Sequence, residues 1–296
     1  MLVDTHAHLD FDQFDADRPA VLSRAAAAGV GAIVNVGADL ESSRRAVELA
    51  ALHPMIYAAV GMHPHDAVKL DGAALAELRQ LARRPKVVAV GEIGLDFYRD
   101  LSPRDVQRRA FQAQLAWAAK LGKPVIIHDR DAHDEVLAML ADWVAERVRA
   151  HGRALLPAGR LGVLHTFSGD LAMAERAVDL GFYISISGPV TYQNAHRLAD
   201  VVRALPLERL LVETDCPFLT PHPHRGKRNE PAHVRLVADR IAALRGMASE
   251  ELAGATTANA RHLFGFDVQD SDGQAHLPSP TTSNTVFRTA NIEREK

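Results

Sequence analysis

The chain has 296 residues, 47% of them hydrophobic and 24% charged, with a formal net charge of −3. That balance suits a globular protein with a sizeable core and argues against one that coats nucleic acid by long-range attraction, while leaving room for a nucleic-acid enzyme whose positive charge is local. The single cysteine, Cys216, excludes an internal disulfide and a thiolate metal cluster, and no apolar run approaches the ~20 residues of a bilayer span.

Eight short apolar stretches read as strands: 2–5, 31–37, 55–61, 87–93, 124–128, 162–166, 182–187 and 210–214. Helical patterning fills the spacers 19–28, 41–52, 73–82, 103–121, 134–150, 171–180 and 195–205. Alternating β and α elements imply a parallel sheet, and eight repeats imply a closed α/β fold, the (β/α)8 TIM barrel. In the spacer 103–121, Ser102 is expected to cap the helix, Pro103 to take the first helical position and Asp105 the third, with Gly122 ending it. Phe111, Leu115, Ala118 and Leu121 share its buried face, which leaves Trp117 and the arginines as helix surface. Residues 151–160 read as an inserted loop on the side away from the site. The polar, aperiodic stretch 267–296 reads as a disordered or loosely attached tail, so the barrel is expected to occupy 1–266. With no positively charged start leading into an apolar segment, a cytoplasmic location without membrane contact is expected.

Side chains alternate across a strand, so His6 and His8 in Asp4-Thr5-His6-Ala7-His8 point the same way and form half of a metal site. Glu92, His128, His165 and Asp215 each sit at the C-terminal end of a later strand, where barrels of this type build their active sites. An isolated histidine is more often a hydrogen-bonded core residue or a surface residue. Joint placement overturns that reading for His6, His8, His128 and His165, but not for His53, His133, His151, His196, His233, His262 or His276. Nitrogen and oxygen donors in this number exceed the needs of one tetrahedral ion with an open position, so two divalent ions are expected. Glu92 is the natural bridge; His6, His8 and Asp215 would complete one shell, and His128 and His165 the other.

The strings DTHAHLD, GMHPH, GEIGLDFYRD, PVIIHDRDAHDE, HTFSG, ETDCPFLTP and HRGKRNEP, in that order within a match that runs from Leu2 to Phe266, resemble the TatD family of metal-dependent hydrolases in the amidohydrolase superfamily. The resemblance implies a (β/α)8 barrel with a two-metal site and Mg-dependent deoxyribonuclease activity. The family's ligands fall on His6, His8, Glu92, His128, His165 and Asp215. Thr166 and Cys216 stand where members often carry Cys and a small residue, and neither is a ligand. Glu92 occupies the place where several superfamily enzymes use a carboxylated lysine, which disfavours dihydroorotase-like and phosphotriesterase-like assignments.

Substrate contacts are expected from His63, which can donate to a phosphate oxygen, from Arg130, and from the basic loop His224, Arg225, Lys227 and Arg228. Asn229 and Glu230, in the Asn-Glu-Pro segment, are expected near the ligands or the substrate, and Glu213 is expected to support the site from below. Together these features imply hydrolysis of phosphodiester bonds in nucleic acid, and the resemblance implies a deoxyribonuclease, expected to work from the 3′ end of single-stranded DNA. The cofactors would be two Mg, Mn or Zn ions, with Glu92 and Asp215 as the catalytic carboxylates and Asp215 taking the proton of the attacking water. DNA rather than RNA rests on the resemblance alone. The rival readings are D-aminoacyl-tRNA deacylation and a non-catalytic metal-binding barrel.

Overall fold

β-branched runs form the wall of the molecule and amphipathic helices cover it. A computed structural model describes residues 1–152 and 160–266, which include eight strands in the order β1 to β8, all neighbours parallel. The strands are β1 (Leu2–Ala7), β2 (Val30–Val36), β3 (Ile56–Val60), β4 (Val87–Asp96), β5 (Val125–Arg130), β6 (Gly162–Leu164), β7 (Tyr183–Ile186) and β8 (Leu210–Val212). Between and after them run α1 (Arg18–Ala27), α2 (Leu40–Leu52), α3 (Gly72–Leu81), α4 (Arg104–Leu121), α5 (His133–His151), α6 (Leu171–Leu180), α7 (His196–Ala204), α8 (Val234–Arg245) and α9 (Ser249–Phe264). The tail 267–296 and residues 153–159 of the expected loop lie outside the described residues; His151 belongs to α5.

The barrel closes at a seam that also carries the site. Asp215 donates its N–H to the His6 carbonyl at 2.9 Å, and His8 donates to the Cys216 carbonyl at 2.8 Å. Below this, the Asp4 carboxylate accepts from the Thr214 N–H at 2.9 Å and its hydroxyl at 2.6 Å, and Thr5 donates to the Val212 carbonyl at 3.0 Å. Side chains therefore tie β1 to the segment after β8 where few strand hydrogen bonds do.

Two apolar layers result. The outer one lies between strands and helices; the inner one fills the barrel with Val3, Ala32, Val34, Ala59, Ala89, Ile126, Val163 and Leu211. Leu263 and Phe264 of α9, with Phe266 stacked on Tyr57 at 4.2 Å, belong to this inner layer and close the N-terminal end. Neither α8 nor α9 is among the helices expected from the sequence, because both follow the last strand and the alternation offers no cue there.

Helix α4 departs from expectation in two ways. Its cap position is Pro103, one residue later than expected, because the Ser102 hydroxyl is used elsewhere, donating to the His65 carbonyl at 2.7 Å. Trp117 is buried, not on the surface, because it joins Phe111, Leu115 and Ala118 in the outer apolar layer, so the buried face of α4 is wider than the stripe read from the sequence. Gly122 ends the helix in the left-handed conformation, as expected.

The same helix buries two glutamines that position the site. Gln114 accepts from the Met62 N–H at 2.8 Å and donates to the Met62 carbonyl at 3.0 Å, next to His63. Gln107 does the same for Asp96, accepting from its N–H at 2.9 Å and donating to its carbonyl at 3.1 Å. Gln114→Leu removes both partners of a buried peptide, and its unfolding free energy is expected to fall by about 1–3 kcal/mol, the cost of unpaired buried groups. Urea denaturation reads this directly; an unchanged midpoint would show that Met62 finds other partners.

Candidate metal centre

The strands deliver their polar ends to one place. His6 and Glu92 lie within β1 and β4, His128 within β5, and His8, His165, His63 and Asp215 just beyond β1, β6, β3 and β8. The two oxygens of Glu92 face different partners. Oε1 is 2.7 Å from His128 Nδ1, 2.7 Å from His165 Nε2 and 3.5 Å from His63 Nε2. Oε2 is 3.4 Å from His6 Nε2 and 3.8 Å from His8 Nε2, and Asp215 Oδ1 is 3.7 Å and 3.5 Å from the same two nitrogens. Three overlapping triads have ligand atoms within 4.8 Å of one another: His6, Glu92, His165; His6, His8, Asp215; and His63, Glu92, His128. His63, expected to touch substrate alone, thus sits inside the cluster.

Local backbone choices make this convergence possible. Asp215 has φ 56 and Thr166 φ 42, a left-handed conformation that Asp tolerates and that is unusual for β-branched Thr. Thr166 is held there because its N–H and hydroxyl both donate to Glu213 Oε1, at 2.5 and 2.8 Å. These turns also explain why β6 and β8 end earlier than the sequence suggests. Next to Glu92, a Cβ on Gly91 would lie 2.6 Å from that of Ile126, so only glycine lets β4 approach β5 so closely.

Outer partners fix which nitrogen faces inward. His8 Nδ1 donates to the Val36 carbonyl at 2.7 Å, so that the neutral ring presents its Nε2 lone pair toward the centre. His128 is reversed: Nε2 donates to Asp96 Oδ2 at 3.1 Å and Nδ1 faces Glu92. His165 Nδ1 lies 3.6 Å from Glu213, the carboxylate expected to support the site from below. Sequence reasoning missed Asp96. It shares a strand face with Glu92, four residues on, and that period-two spacing is the signal that could have found it.

The electrostatics ask for positive charge. Burial favours a neutral Glu92, but His165 and His63 overcome it and draw the carboxyl well below its usual range. Burial likewise opposes ionisation of Asp215, yet its contact with His8 and the nearby His6 lower it. Against burial, Asp215 and Glu92 push His8 up to about 9, and Glu92 and Glu213 lift His165 well above the ordinary range. His63 falls to about 4 through burial and its neighbour His128. Two ionised carboxylates in a buried pocket, with His8 and His165 drawing protons in beside them, fit divalent cations held by nitrogen and oxygen.

The remaining expected substrate contacts divide. Arg130 lies over the Tyr98 ring at 4.4 Å and Arg225 over Tyr192 at 4.4 Å, while His224 stacks on His233 at 4.6 Å. Lys227 is exposed. Three others are turned to structural work. Arg228 pairs with both oxygens of Asp17 at 2.9 and 2.7 Å, Glu230 accepts from Arg24 at 2.8 and 2.6 Å, and buried Asn229 donates to the Thr214 and Phe218 carbonyls at 2.9 and 2.7 Å. The partners of Arg228 and Glu230, on and beside α1, come from the other end of the chain, and only barrel closure brings them alongside.

A parallel barrel with imidazoles and carboxylates gathered at the C-terminal ends of its strands has the layout of a metal-dependent hydrolase. A family model described as TatD related DNase matches residues 3–265, and the chain belongs to the TatD family of metal-dependent hydrolases. It is 46% identical over 264 residues to the uncharacterized metal-dependent hydrolase YabD of Bacillus subtilis, covering 89% of this chain and 99% of that protein. It is 38% identical over 272 residues to the 3′-5′ ssDNA/RNA exonuclease TatD of Klebsiella pneumoniae, covering 90% and 99%. The crystal structure of YJJV, a TatD homolog from Escherichia coli, superposes with a TM-score of 0.82 at 38% identity, covering 90% of this chain and 98% of that one.

Proposed function

We propose that this hydrolase cleaves phosphodiester bonds of single-stranded nucleic acid, working from a 3′ end with two divalent cations. The observation that carries the two-cation reading is Glu92, whose oxygens face different sets of imidazoles. His6, His8 and Asp215 would hold one ion and His128 and His165 the other, with His63 beside the second. When bound, Mg, Mn or Zn ions there supply charge neutralisation at the phosphate and acidify water.

The chain's own residues do the rest. Asp215 orients the attacking water and accepts its proton; its side chain is 13% exposed against 4% for Glu92, so the proton has a route to solvent. Glu92 sets the spacing of the two ligand groups. Asp96 and the Val36 carbonyl keep His128 and His8 in the tautomers that present a lone pair. The substrate class draws support from relatives that bear the name 3′-5′ ssDNA/RNA exonuclease.

A screen of metals against substrates tests this on purified protein: 3′- and 5′-labelled single-stranded DNA, RNA and D-aminoacyl-tRNA, each with and without chelator. The expected result is shortening from the 3′ end that needs a divalent ion. Release of D-amino acid with intact oligonucleotides would replace phosphodiester hydrolysis with ester hydrolysis.

A further inference from the structure

Exposed large apolar side chains are not spread evenly over the described residues. Val68, Tyr98, Leu101 and Phe218 all lie in the segments that follow strands, round the rim of the centre, whereas Met1 and Leu52 precede strands on the opposite side. Single exposed apolar residues need no explanation; their concentration beside a charged site does.

Two of them are built into that site. Phe218 is 49% exposed, with its ring 6.3 Å from that of His8 and edge-on to Phe11 at 6.0 Å, while Phe11 itself stacks on His8 at 4.9 Å. Its backbone is pinned on both sides: the N–H donates to the Asp215 carbonyl at 2.9 Å and the carbonyl accepts from Asn229 at 2.7 Å. On the other flank Tyr98 is 61% exposed beneath the Arg130 guanidinium. Its N–H donates to Asp96 Oδ1 at 3.0 Å, and the other oxygen of that carboxylate holds His128. One aromatic ring is therefore fixed to the His8 and Asp215 side of the centre and one to the His128 side.

Every nucleobase has a π-face, so aromatic rings on a rigid frame bind unpaired strands without regard to sequence. Bases within a duplex are already stacked and offer no such face. Resting on the phosphodiesterase reading above, we propose that Phe218 and the Tyr98–Arg130 pair are nucleobase-stacking platforms for the nucleotides on either side of the cleaved bond. Arg130 adds a flat cation that stacks on a base or pairs with phosphate. The platforms would make the enzyme select unpaired ends and hold the phosphate over the centre.

Steady-state kinetics of the metal-loaded enzyme on a short oligothymidylate, and on the same oligomer with abasic residues at its cleaved end, test the proposal. The wild type is expected to disfavour the abasic end by about tenfold in KM, the scale of one base–aromatic stack. Phe218→Ala and Tyr98→Ala should each raise KM for the normal oligomer by about that factor and shrink the abasic discrimination, and Phe218→Trp should restore both. Equal KM for normal and abasic ends in the wild type, or alanine variants that keep full discrimination, would overturn the platforms while leaving the hydrolase reading intact. A wild type that cleaves no oligonucleotide would instead remove the phosphodiesterase reading on which they rest.

Discussion

Glu92→Gln is expected to weaken cation binding by more than about 100-fold and to abolish measurable turnover. Even the outer partners of metal-bound histidines contribute about 10–100-fold to affinity, and Glu92 stands nearer than any of them. Its two oxygens face different imidazoles: Oε1 meets His128 and His165 at 2.7 Å each, and Oε2 meets His6 at 3.4 Å. Gln keeps the shape but replaces one oxygen with an amide nitrogen that donates where a lone pair is needed. The remaining imidazoles then lose the carboxylate that lifts His165 and His8, so the pocket attracts less positive charge as well. Metal analysis after dialysis against a limiting concentration of Mn checks this, with His165→Ala beside it. The single-sided variant should keep one ion where Glu92→Gln keeps neither, and a Gln variant that retains two ions per chain would refute the bridge.

What the sequence discloses depends on whether a residue's role is set by its own strand or by a neighbour. His6, His8, Glu92, His128, His165 and Asp215 converge as expected because each follows an apolar run, and parallel strands in a barrel must end on the same side. His63 could not be placed so well. It lies three residues past β3, and its entry into the cluster depends on Gln114 of α4 gripping Met62. Asp96 and Gln107 were legible in principle, since Glu92 and Asp96 share a period of two and Gln107, Phe111 and Gln114 share one helical face. Arg228 and Glu230 were not. A basic residue in a loop looks available for phosphate until the fold supplies Asp17, and no local pattern reveals a partner at the far end of the chain.

Asp215→Asn is expected to lower kcat by ~10²–10⁴, the range of a lost general base, with a smaller change in KM. The substitution isolates charge because Asp215 sits at φ 56, where Asn is among the few residues equally at ease. The N–H bond to the His6 carbonyl and the bond from the Phe218 N–H involve backbone alone, so the turn and the rigid ring beyond it should persist. What disappears is an ionised oxygen 3.5 Å from His8 Nε2, beside the space where water would be deprotonated. A ligand role and a base role predict different companions to the loss of rate. If Asp215 chiefly holds a cation, added metal should recover much of the activity; if it takes the proton, saturating metal leaves kcat low. Kinetics on a short single-stranded oligonucleotide, run across a metal titration, therefore separate the two, and near-normal kcat at ordinary metal concentration would remove Asp215 from the chemical step.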